Sequence, residues 1–193
     1  MIDPYDITNF NRTNAELEEF WLFSICVAGK GADQQRIKLD AFLSEVTGDL
    51  SPFQKIEAMI KAGTFEDNLR KHKLGQYSRI ARAFTESLPL NLYVASLDDL
   101  EGIFGVSFKT SRFFLMHSRP NLKVAALDTH ILKYLNDNGI EAPKNTPSSP
   151  KLYRALEEQF IRLAESVPNR TIAEIDLMIW SHYASKQEGS VVL

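Results

Sequence analysis

The chain has 193 residues, 44% of them hydrophobic, with 22 basic and 25 acidic side chains and a formal net charge of −3. That length fits one domain, or two small lobes about a cleft, with enough core to be stable. The single cysteine, Cys26, excludes an internal disulfide and a four-cysteine iron–sulfur cluster. No apolar run approaches the roughly 20 residues of a membrane span, and no signal-peptide pattern follows Met1. The expected setting is therefore a reducing cytoplasmic compartment with no membrane partner.

Met1 to Asn11 has no clear period and reads as an extended arm. Thr13-Asn14-Ala15-Glu16 is a capping-box pattern. It opens a helix through Phe20, Trp21, Phe23, Ile25 and Val27, with Cys26 as a core residue and Gly29 as the stop. Gly29-Lys30-Gly31 forms a short loop before Asp33 opens a second helix, with Ile37, Ala41 and Phe42 on its inward face. Ser51-Pro52-Phe53-Gln54 pairs a cap with proline at the first helical position. That helix runs to about Ala62 and ends at Gly63. Thr64 to Leu69 reads as a short helix. Gln76 to Leu88 is a longer one, with Ile80, Ala83, Phe84 and Leu88 facing inward and Pro89 closing it.

Ser96-Leu97-Asp98-Asp99 starts a further helix, and Gly105 supplies the unrestricted backbone of a tight turn after it. A new helix then carries Lys109 in its first turn, and Pro120 and Asn121 end it. Asp128 stands at the threshold of the next periodic run, Thr129 to Asn138, which Gly139 stops. Glu141 to Ser149 is a loop. Ser149-Pro150 begins a long helix toward Glu165, broken by Pro168 and Asn169. The capping box Thr171-Ile172-Ala173-Glu174 starts a last helix through Ile175, Leu177, Met178, Ile179 and Trp180. No segment alternates with a period of two, and there is no internal repeat or low-complexity tract. The predicted fold class is all-α.

The small negative charge argues mildly against a nucleic-acid partner, but the distribution is uneven. Arg70, Lys71, Lys73, Arg79 and Arg82 fall between Leu69 and Thr85 with no acid among them. Lys109, Arg112, Arg119, Lys123 and Lys133 fall between Gly105 and Leu135 with Asp128 as the only acid. Such runs are either solvated helix faces or the local basic surface that phosphate binding needs.

Lys109 and Asp128 thus stand at two neighbouring helix N-termini, nineteen positions apart. A helix N-terminus and partial desolvation favour a neutral, nucleophilic amine. A carboxylate can stabilise positive charge or move a proton. Read alone, the same residues are an exposed lysine and an N-cap, and Trp180 on an apolar helical face is a core residue. No other histidine or cysteine has ligand spacing relative to His130, so no metal is assigned.

The turn residues Gly105-x-x-x-Lys109, with Asp128-x-His130 beyond them, resemble the helix-hairpin-helix DNA glycosylase superfamily. Within it, the likeness is closest to the archaeal-type (second) 8-oxoguanine DNA glycosylase/AP lyase family. Ile25 to Ala32 resembles that family's early helix end, Gln76 to Phe84 the helix before the hairpin, and Ile175 to Trp180 the C-terminal helix.

The resemblance implies two helical lobes around a DNA-binding cleft in a single domain, 1–193, with hairpin and catalytic region at about 97–138. Lys109 would attack the sugar C1′ and Asp128 would be the catalytic carboxylate. DNA contacts would come from Gly105, Val106, Ser107, His130, Gly29 and Lys30, and the base pocket from Trp180 and Asp176. A lysine nucleophile leaves a Schiff base, which permits β-elimination of the strand. The partner is then double-stranded DNA holding a damaged base, and a monomer is expected. No cofactor is required and no iron–sulfur cluster is expected. The family's hairpin carbonyls often hold a monovalent cation.

Ser107 replaces the family's second hairpin glycine, and both Gly29-Lys30-Gly31 and the end Val191-Val192-Leu193 depart from its pattern. The first affects one backbone approach to phosphate, and the other two lie near residues that would select the damaged base and its partner. The same fold acting on another lesion, or serving as a catalytically silent DNA-binding module, stands as the alternative.

Overall fold

The computed structural model describes residues 2–4, 6–120 and 122–188. Among these the chain is all-α, with ten helices and no strand. The expectations placed on Met1, Tyr5, Asn121 and Val191-Val192-Leu193 fall outside the described residues.

Local signals set most helix starts. Thr13 with Glu16 and Ser51 with Gln54 form reciprocal capping boxes on α1 (Asn14–Val27) and α3 (Pro52–Lys61). Ser96 with Asp99 does the same for the short α6 (Leu97–Glu101), and Ser149 caps α9 (Pro150–Glu165). Thr171 and Glu174 exchange hydrogen bonds at the start of α10 (Ile172–Glu188). Each cap satisfies an amide that the first turn leaves without a partner, worth roughly 1 kcal/mol.

Two helices differ from expectation in the face they bury. In α2 (Ala32–Leu43) the cap is Gly31, and the buried residues are Gln35, Leu39, Phe42 and Leu43. Ile37 is 58% exposed and Ala41 is also at the surface. The helix packs on α1 and α3 with Leu39 and Phe42 buried, Phe42 meeting the rings of Phe65 and Phe84, which leaves Ile37 and Ala41 outward. After α4 (Phe65–Lys71) comes α5 (Tyr77–Ser87), where Ser87 is buried and Leu88 only half-buried. A buried serine is tolerated there because its hydroxyl accepts a hydrogen bond from Trp21 Nε1 at 2.8 Å.

Helix α1 is the centre of a first hydrophobic cluster. It packs on α2, α3, α5 and α7 (Phe108–Ser118), and Phe20, Trp21, Leu22, Ile25 and Cys26 have no exposed surface. Cys26 is a core residue, as its apolar setting predicts. A second cluster joins Ile131, Leu132 and Leu135 of α8 (Thr129–Asp137), Tyr153, Leu156 and Phe160 of α9, and Ile175, Ile179 and Tyr183 of α10. Burying each large apolar side chain contributes roughly 1.5–3 kcal/mol. Helix α10 packs against α7, α8 and α9, which brings it within reach of both clusters.

The N-terminal segment carries no helix but is not a free arm. Ile2 and Ile7 are buried, and the Arg12 guanidinium donates to the carbonyls of Ile7, Asn9 and His117. It also lies 4.0 Å from the centre of the Phe20 ring. Burial lowers the Arg12 pKa to about 10. This arginine pins the segment to the end of α7.

The basic runs are laced with acids, some distant in sequence and some one helical turn away. Lys71 pairs with Glu45 at 2.7 Å and Lys123 with Glu165 at 2.6 Å, while Arg70, Arg82 and Lys133 pair with acids one helical turn away. Arg112 is only 3% exposed and bonds Glu101 and Glu157, so it adds nothing to a basic surface. No helix of the described residues is long and apolar enough to cross a membrane.

Candidate active-site cleft

Helix α6, a turn and helix α7 form one unit at the edge of the first cluster. Gly105 has φ +75°, and a Cβ there would stand 2.5 Å from Arg79 Cγ, so the position needs glycine for backbone and for space. Arg79 donates to the Gly105 carbonyl and to the Ile25 carbonyl, each at 3.0 Å, tying the turn to the end of α1. The Gly105 carbonyl is thus engaged by the Arg79 guanidinium. The Val106 amide is also engaged, donating to the Ile103 carbonyl at 3.1 Å. Among the described residues the amides of Gly105 and Ser107 have no such partner, and the Ser107 hydroxyl caps α7 by accepting from Thr110 N.

A cleft of about 510 Å³ opens where the end of α1, the start of α7, the segment before α8 and the face of α10 meet. Gly29, Lys30, Lys109, Asp128, Asp176 and Trp180 all line it. The volume lies within the usual range for small-molecule pockets. Lys109 is half-buried and makes no hydrogen bond or ion pair with a described residue. Asp128 accepts from the amides of His130 and Ile131 at 2.9 Å each, both on Oδ1. It is therefore the N-cap of α8, while Oδ2 accepts no hydrogen bond from a described residue. The cap and the cleft position are compatible, because the cap uses one oxygen only.

Trp180 is 41% exposed and faces the cleft, unlike Trp21 in the core. Its ring meets His130 edge-on with centroids 6.3 Å apart, and His130 stacks on Tyr183. His130 does not line the cleft. Lys30 donates to the Leu74 carbonyl at 2.6 Å, and burial lowers its pKa. Asp176 is buried, which raises its pKa. His117 and Lys109 oppose that rise and Asp128 adds to it.

A second cavity of about 490 Å³ lies beside the first. Val106, Ser107, Glu101 and the stretch 146–148 line it, and it shares Ala28, Gly29, Lys109 and Thr110 with the larger one. Lys109 therefore borders both spaces. Gly105 lines neither.

Several residues that shape the site do not stand out in the sequence. Glu157, Tyr153 and Arg112 hold the segment preceding Asp128, through hydrogen bonds to Ala125 and Leu127. His117 has no exposed surface and faces Asp176. A histidine directly after the apolar run Phe113 to Met116 and a basic residue one turn after Phe108 are the only sequence signals for them. Among the described residues no group of three histidine, cysteine or acidic side chains is placed to hold a metal ion. No protein-family model, curated protein or solved structure matches this chain.

Proposed function

We propose that this chain is a lysine-dependent DNA glycosylase with abasic-site lyase activity, acting on oxidised guanine. In this reading α6, the Gly105 turn and α7 are a helix-hairpin-helix, and the two hydrophobic clusters are the lobes of a DNA-binding cleft. One observation carries it: Lys109, Asp128, Asp176 and Trp180, from three separate parts of the chain, converge on one cleft.

The chemistry follows from that convergence. A target nucleotide leaves the duplex stack so that its base enters the larger cavity. The sugar then lies at Lys109, with the backbone along the second cavity. The Lys109 amine attacks C1′, and the electrons of the glycosidic bond leave with the base, which takes up a proton. The protonated amine loses a proton and the sugar ring opens to a Schiff base. Abstraction of a proton at C2′ then expels the 3′ phosphate by β-elimination. Asp128, fixed through Oδ1, presents Oδ2 to the positive charge that develops on the sugar. Trp180 supplies a stacking face, and Asp176 supplies acceptors for N–H groups on the base edge.

Borohydride reduction of mixtures with duplexes holding oxoguanine, other oxidised bases or an abasic site tests the reading. A covalent adduct dependent on oxoguanine supports it. An adduct on another lesion transfers the same chemistry to that base. Binding without any adduct identifies a silent DNA-binding module.

A further inference from the structure

His117 lies in α7 with no exposed surface, and its two ring nitrogens face different partners. Nδ1 is 2.8 Å from Thr8 Oγ1 in the N-terminal segment. Nε2 is 3.7 Å from Asp176 Oδ2 on α10 and has no hydrogen-bond partner among the described residues. That distance is too long for a hydrogen bond. Phe113 packs edge-on against the ring, with centroids 4.9 Å apart. A buried ring nitrogen without a partner is costly and needs a reason. Asp176 provides one, since it is itself buried and forms part of the cleft wall.

We propose that His117 is the positioning partner of Asp176, holding its carboxylate ionised so that the cleft selects bases with two adjacent N–H donors. The proposal rests on the glycosylase reading for its ligand, and on geometry alone for the pair. The pairing requires the tautomer in which the Thr8 hydroxyl donates to Nδ1 and the ring proton sits on Nε2, toward the carboxylate. The other charged groups that act on Asp176 are Lys109 and Asp128, of opposite sign. An ionised carboxylate only accepts hydrogen bonds, whereas a protonated one also donates. Oxidised guanine offers N–H groups at N1 and at its exocyclic amine. Adenine-type bases offer an acceptor at N1, which an ionised Asp176 repels. Removing the His117 nitrogen lets Asp176 take up a proton and blurs that distinction.

The test has two arms. The first measures base release from oxoguanine and oxoadenine duplexes in wild type, His117→Phe and His117→Gln. Cleavage of an abasic duplex reports any general damage. The expected result is a loss of guanine-over-adenine preference of about 10- to 100-fold in His117→Phe. His117→Gln, which restores an N–H donor, recovers most of it. Equal loss of base release and abasic cleavage in both variants, with the preference intact, overturns the proposal. The second arm needs no catalysis. Nitrogen NMR of wild type should place a proton on Nε2, and Asp176→Asn should move that resonance more than Nδ1. A bare Nε2 that ignores Asp176→Asn overturns the pairing. Failure of wild type to release any base removes the glycosylase reading alone, because the NMR arm still decides the pair.

Discussion

A single oxygen of Glu157, Oε1, accepts both the Arg112 Nε–H at 2.7 Å and the Ala125 amide at 2.9 Å. Arg112 follows Lys109 by one helical turn, and Ala125 lies just before Asp128. The Tyr153 hydroxyl adds to this, accepting from Leu127 N at 3.0 Å and donating to Ala125 O at 2.9 Å. Helix α9 thereby fixes the start of α7 and the start of α8 relative to each other.

Glu157→Ala should therefore lower stability by about 3–5 kcal/mol, because it leaves the Arg112 charge buried with one partner removed. Replacing both, Arg112→Met with Glu157→Leu, should recover much of that loss. Urea unfolding of wild type and the two variants measures it. A loss under about 1 kcal/mol in Glu157→Ala contradicts the clamp.

The two tryptophans should respond differently. Trp21 is wholly buried and bonded to Ser87, so Trp21→Ala should cost about 3–5 kcal/mol of stability. Trp180 is partly exposed at the cleft, so Trp180→Ala should unfold at close to the wild-type temperature. Oxoguanine release should still weaken, by about 1–3 kcal/mol, while abasic cleavage persists. Parallel loss of both activities with a lowered melting temperature rejects a stacking role.

These contrasts show what was legible in the sequence. Thr13, Ser51, Ser96, Ser149 and Thr171 announce helix starts because a cap and its amide lie within one turn. The outward turn of Ile37 was not legible, since the choice of face depends on where α1 and α3 sit. Arg112 read as surface charge because its partner Glu157 is 45 positions away. Lys109, Asp128, Asp176 and Trp180 were named through family likeness, while their meeting in one cleft is a tertiary fact. His117 carried no motif, and only its burial beside Asp176 marks it.

Asp176 gives a prediction about stability and pH. Burial raises its folded-state pKa, so the folded protein holds this proton more tightly than the unfolded chain does. Stability from this group therefore grows as pH falls through the raised value and levels off below the unfolded value near ~3.9. Asp176→Asn removes the burial of a charge, so it should melt above wild type at neutral pH. The gap should narrow in acid, and base release should fall. A lower melting temperature than wild type at neutral pH contradicts this.

Asp128→Asn should keep the fold, because the asparagine oxygen can still accept from the His130 and Ile131 amides. Turnover should fall by about 100-fold or more, since the charge facing the sugar is gone. Calorimetry alongside single-turnover base release separates the two effects. Near-wild-type turnover would leave Asp128 as a cap alone.

Two lysines, Lys109 and Lys30, line the cleft, and the proposed chemistry requires the adduct on one of them. Borohydride trapping on an oxoguanine duplex, followed by mass-spectrometric mapping, tells them apart. The adduct should map to Lys109, and Lys109→Gln should abolish it while retaining DNA binding, because glutamine has similar length but no nucleophilic amine. Undiminished trapping in Lys109→Gln, or an adduct mapped to Lys30, would contradict the assignment.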